Sequence, residues 1–136
     1  MNHDLMMTIA MFLAGIFSTM NIWANSWSDI RLSLNDMYMI GLMIGWMFFF
    51  MGILMLQWKK ALMGLLIAGL ILAAIRTQFL VDQTQFLLQM IPHHSMGIFL
   101  SRKLEQKPNT IPELLNNIVH VQENEIEYMK KKLKEA

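Results

Sequence analysis

The sequence predicts an all-α protein: three transmembrane helices followed by an extracytoplasmic two-helix hairpin. Three observations carry that expectation. Hydrophobic residues fill 55% of the 136 positions and charged residues only 15%, and the charges avoid most of the N-terminal half. Three apolar runs there approach the roughly 20 residues of helix that a hydrocarbon core requires. The rest of the chain is polar, helical in its spacing, and broken by a turn at Lys107-Pro108-Asn109. The length suits one domain-sized unit, which this asymmetry divides into a membrane domain, 1–76, and a hairpin domain, 77–136.

The first span is expected over about residues 5–24, where Thr8, Ser18, Thr19 and Asn21 are scattered but no charge intervenes. Asp4 stands where a signal peptide carries positive charge, and no small-x-small cleavage pattern follows, so the segment is read as retained. The second span, 37–58, is framed by Tyr38 and Trp58, amphipathic aromatics suited to the membrane interface. The third, 60–76, reaches full length only if Lys59, Lys60 and Arg76 snorkel. Lys59 and Lys60 mark the loop after the second span as cytoplasmic, whereas Arg31 is offset by Asp29 and Asp36 in the loop before it. By the positive-inside rule the N-terminus is cytoplasmic and the hairpin periplasmic or extracellular, at a cell inner or plasma membrane.

The hairpin's first helix is expected from about Arg76 to Glu105, with Pro92 inside it; a proline deletes one backbone bond and should kink the helix before the histidines. Thr110-Ile111-Pro112-Glu113 has capping-box spacing, and the second helix is expected from Ile111 to about Lys134.

Met90-Ile91-Pro92-His93-His94-Ser95-Met96 holds two of the four histidines between two methionines. Imidazole suits copper and zinc, and thioether favours Cu(I), so the mixture points to copper, with Cu(I) favoured and Cu(II) permitted. At about 100° per residue, Met90, His93, Met96 and Gly97 share a face with Leu100 and Leu104. His94 lies about 100° around from His93, so both converge only if the proline bends the helix. On the second helix Leu115, Ile118, Val119, Ile126 and Leu133 form an apolar stripe, with Gln122 and Met129 in its middle and Glu125 at its edge. His120 falls on the opposite face and is read as solvated. Facing the stripes together turns Gln122, Glu125 and Met129 toward Met90, His93 and Met96. A His-His pair alone is more often helix-cap or surface polarity than a site; the flanking methionines and the matching second helix shift the balance to a metal. Gln122 and Glu125 could instead hold a ligating imidazole in place.

Phe86-x-x-x-Met90-Ile91-Pro92-His93-His94-x-Met96-x-Ile98, followed by Ile118-x-x-x-Gln122-x-x-Glu125-Ile126-x-x-Met129, resembles the domain-of-unknown-function 305 family over about residues 79–134. The resemblance implies a ferritin-like helical fold, whose relatives include periplasmic copper-binding proteins implicated in copper resistance. It implies copper ligation by Met90, His93, His94, Met96 and Met129, with Glu125 as a ligand or support and Gln122 behind them. Relatives often carry more helices, completing a four-helix bundle, or more than one His-Met motif. This chain has one motif behind three expected spans and looks like the membrane-anchored members.

The resulting expectation is a copper-binding protein for storage, resistance or delivery. One alternative is a three-span copper transporter using Met39, Met43, Met47, Met51 and Met55 along the second span. That row drifts about 40° per step, and methionine is also an adaptable packing residue. Another alternative is a structural helical module without metal. No enzyme is expected: cysteine is absent, and neither a phosphate loop nor His-Glu-x-x-His occurs. A net charge of +1 argues against nucleic acid. The expected partners are the copper ion, the lipid bilayer and further copies of the chain, because a two-helix hairpin has little core of its own.

Overall fold

The computed structural model describes residues 2–136, and these are all-helical. Five α-helices follow in order: α1 (His3–Ile16), α2 (Leu34–Leu54), α3 (Trp58–Thr77), α4 (Gln83–Glu105) and α5 (Pro112–Glu135). Short 3-10 turns at Met20–Trp23 and Trp27–Asp29 lie between α1 and α2. Three segments, His3–Trp23, Leu34–Leu54 and Trp58–Thr77, are long and apolar enough to cross a membrane. The chain divides into two units. The first holds α1, α2 and α3; the second joins Met20–Ser33 to Asp82–Ala136. The hairpin unit therefore begins at Asp82 instead of 77, and it takes in a segment that the sequence marks only as a loop between spans.

In the first unit Asn2 caps α1, its side chain accepting from the Asp4 backbone N–H. Asp4 also receives Lys60 Nζ at 2.8 Å. The first apolar segment is α-helical only to Ile16, short of the expected residue 24. Asn21 supplies a reason within the second unit, since its side chain donates to the Arg31 carbonyl at 2.6 Å and accepts from the Arg31 N–H at 3.0 Å. Such local side-chain bonds compete with helix continuation.

Helices α2 and α3 meet through small residues, which let backbones approach closely. A Cβ on Gly45 would stand 2.8 Å from the Ala68 backbone nitrogen, and one on Gly52 or Gly64 would overlap the backbone of Ala61 or Phe49. The turn between them places Leu56 at φ 54°, and the Gln57 N–H bonds back to the Gly52 carbonyl at 2.7 Å. Gln78 ends α3 in the left-handed conformation, and its side-chain amide pairs with that of Asn35.

In the second unit Asp82 caps α4 by accepting from the Gln85 N–H at 2.8 Å. Helix α4 continues through Pro92 to Glu105. The expected capping box does not form: Ile111 is the N-cap of α5, without a side-chain cap bond. Asn109 instead organises the turn, its Oδ1 accepting from the Ile111 N–H at 3.1 Å. Leu87, Ile91 and Ile98 of α4 pack with Val119, Ile126 and Met129 of α5 into one core, against which Met90 and Leu133 rest.

Candidate metal centre

The face of α4 turned toward α5 differs from the expected one by about one residue, or roughly 100°. Leu87, Ile91, Ile98 and Ser101 are buried, whereas Leu100 and Leu104, expected to be covered, are exposed. Ser95 is fully buried. Its hydroxyl donates to Asp29 Oδ2 at 2.6 Å and accepts from the Asn25 backbone N–H at 2.8 Å. Helix α4 is therefore covered on two sides, by α5 and by Met20–Ser33. A reading that equates burial with apolarity assigns Ser95 and Ser101 to solvent and misplaces the face.

This rotation exchanges the two histidines. His94 Nε2 meets Glu125 Oε2 at 2.7 Å, with the imidazole side chain 13% exposed. His94 Nδ1 lies 2.9 Å from the Met90 carbonyl oxygen, one turn earlier. A carbonyl can only accept, so Nδ1 carries a proton in that bond. The bond between Nε2 and Glu125 likewise holds a proton, which a metal ligated by Nε2 would replace, and a carbonyl holding the far side of the ring is the usual means of fixing a ligating imidazole. His93, expected to face α5, is exposed, its ring centroid 5.8 Å from that of His94 and tilted by 61°.

The other expected ligands are distributed unevenly. Gln122 is beside the pair: its Oε1 is buried without a hydrogen-bond partner and presses on Gly97, where a Cβ would overlap it. Met90 is half-buried against the core and Met129 is buried within it. Met96 is half-buried and lies roughly 160° around α4 from His94. His120 is exposed, as its position on the wheel indicates. Among the described residues no three His, Cys, Asp or Glu side chains converge as a metal-holding group.

A second polar cluster braces the unit. Asp29 is buried and paired with Lys130 of α5 as well as Ser95. Lys130 also reaches Ser28 Oγ at 2.9 Å. Arg102 joins Asn25 Oδ1 at 3.3 Å and the Glu123 carboxylate. The sequence reading treats Asp29 only as a counterweight to Arg31. Ser26, whose Oγ accepts from the Ser28 N–H at the start of a short 3-10 turn ending at Asp29, is the one local signal that this loop is structured.

Comparison with known proteins reaches beyond the hairpin, since the family match also takes in nearly all of α3. Residues 59–133 match the family described as Domain of unknown function (DUF305). The chain belongs to the DUF305 family. It is also similar to an uncharacterized protein of Acanthamoeba polyphaga mimivirus, 46% identical over 132 residues, covering 92% of this chain and 87% of that relative. No solved structure matches it. The DUF305 match takes in all of α4 and nearly all of α5, including the His94–Glu125 pair, Gln122 and Lys130; Met20–Ser33 lies outside it.

Proposed function

We propose that this DUF305 protein is a membrane-anchored copper-binding protein that chelates the ion on its hairpin for storage, resistance or delivery. The observation that supports the reading best is the His94–Glu125 pair, 2.7 Å apart, with the Met90 carbonyl holding the other ring nitrogen. Two donors about 2.0 Å from one ion stand about 2.8–3.3 Å apart in square or tetrahedral coordination, so a small opening of the pair, with loss of the proton between them, would admit one metal. The unbonded Gln122 Oε1 nearby supplies a buried oxygen that lacks a partner. Met90, one helical turn before His94 on α4, would supply a thioether that favours Cu(I). In this reading His94 is the principal nitrogen ligand, Glu125 an oxygen ligand, and Met129 part of the packing beneath them.

The three apolar segments would anchor the hairpin, with Lys59 and Lys60 at the cytoplasmic side and the hairpin on the outer side. Metal analysis of the purified full-length protein after copper exposure tests the proposal. Stoichiometric copper, lost in His94→Ala and Glu125→Ala but kept in His120→Ala, is the expected result. Copper content indistinguishable among these variants and the unsubstituted protein would overturn it.

A further inference from the structure

The hairpin has a second helical seam, half-buried at Met90, Gly97 and Ile118 along its edge toward the core and otherwise exposed. Along α4, Phe86, Met90, His93, Gly97, Leu100 and Leu104 recur in a strict four-three alternation, the spacing by which one helix packs on another. Along α5, Leu114, Ile118, Val121, Glu125 and Tyr128 recur in the same way. Phe86 is 51% exposed, Leu100 49%, Leu114 52% and Tyr128 62%. Both rows lie on one side of the hairpin. His93 is roughly 160° around α4 from Ser95, and Val121 roughly 180° around α5 from Lys130, and Ser95 and Lys130 are the residues that hold Met20–Ser33.

We infer that a second copy of this chain docks on this seam, joining two hairpins into a four-helix bundle with α4 of each copy against α5 of the other. The register argues for self-association. Within one hairpin His94 stands opposite Glu125, and Gly97 opposite Gln122. That antiparallel register puts His93 level with Glu125, Leu100 level with the stretch between Ile118 and Val121, and Leu104 level with Leu114. A two-fold axis parallel to the helices leaves these heights unchanged. The one ionisable residue of the α4 row then meets the one carboxylate of the α5 row, and leucine meets apolar side chains above and below it. A self-complementary patch of this kind is what a closed two-fold dimer requires.

The pairing also gives His93 a place. It turns His93 of each copy toward the His94–Glu125 pair of the other, so a metal held there would draw on two chains. That last step rests on the copper reading; the docking itself does not.

The chain contains no cysteine, so a full-length Leu100→Cys, Val121→Cys variant reconstituted in nanodiscs reports the contact directly. Oxidation with diamide is expected to yield a disulfide-linked species of twice the chain mass, while Asn116→Cys, exposed and roughly 140° around α5 from Val121, yields none. In parallel, Leu100→Glu is expected to convert the unsubstituted protein's dimer mass to monomer mass with its helical circular dichroism retained. An unsubstituted protein of monomer mass, a dimer untouched by Leu100→Glu, or equal crosslinking at Asn116→Cys would each overturn the inference. None of these readouts involves metal, so they stand or fall separately from copper binding.

Discussion

Ser95 Oγ donates to Asp29 Oδ2 at 2.6 Å, tying the histidine-bearing turn of α4 to a residue 66 positions earlier in the chain. Asp29 simultaneously pairs with Lys130 of α5, so one buried carboxylate joins all three parts of the hairpin unit. Asp29→Asn keeps the shape but removes the charge that both partners answer. Hydrogen bonds to charged groups are worth about 1.5–3 kcal/mol, so a loss of about 2 kcal/mol is expected. Ser95→Ala should cost less, about 1 kcal/mol. Thermal unfolding followed by circular dichroism in nanodiscs ranks the two; Asp29→Asn melting no lower than Ser95→Ala would contradict this assignment.

The same arrangement predicts that the hairpin is incomplete without its strap. Residues 82–136 alone expose Ser95 and lose the partner of Lys130. Fusing residues 20–33 to that fragment through a flexible glycine-serine linker should restore both contacts and protect α4 amides from hydrogen exchange. Small helical pairs have little core to spare, so the protection should be large compared with a fusion carrying Asp29→Ala. Equal exchange in all three polypeptides would show that Met20–Ser33 contributes nothing to hairpin stability.

Gly97 and Gln122 offer a test of the packing beside the His94–Glu125 pair. A Cβ at residue 97 overlaps Gln122 Oε1, the far end of a flexible side chain that can give way. Gly97→Ala therefore displaces the Gln122 amide while gaining helix propensity, and its net cost should be at most about 1 kcal/mol. In a Gln122→Ala background the same change meets no clash and should stabilise by up to about 1 kcal/mol. Equal effects in the two backgrounds would mean that the two residues are not in contact.

Much of this fold is legible in the sequence because hydropathy runs and turn chemistry are local properties. The apolar runs correspond to α2 and α3 within a few residues, and Lys107-Pro108-Asn109 lies at the hairpin turn, where Asn109 bonds the Ile111 N–H. Gly45, Gly64 and Ala68 mark the α2–α3 contact because small residues admit close backbones. The roles of His93 and His94 are not legible in the same way. They depend on which side of α4 faces α5, and that side is set partly by Met20–Ser33, distant in sequence and bonded through serines and an aspartate. An apolar-stripe argument has no means of seeing a buried polar contact. On α4 it finds the face of Met90, His93, Gly97 and Leu100 and takes that for the one turned toward α5.

The glycines of the apolar unit separate contact from composition. Gly64 is where α3 crosses α2: a Cβ there overlaps the Phe49 backbone nitrogen and lies 2.7 Å from the Gly45 carbonyl oxygen. Backbone atoms cannot swing aside as a side chain can, so Gly64→Ala must push the helices apart and forfeit their dispersion contacts. Gly69, five residues later on the same helix, has nothing within 4 Å of its Cβ position. Gly69→Ala should be neutral or slightly stabilising, by up to about 1 kcal/mol, because alanine is the better helix former. Thermal unfolding of the two variants in nanodiscs decides the matter. A lowered midpoint for Gly64→Ala beside an unchanged or raised one for Gly69→Ala is expected, and equal losses would mean that α2 and α3 do not meet at Gly64.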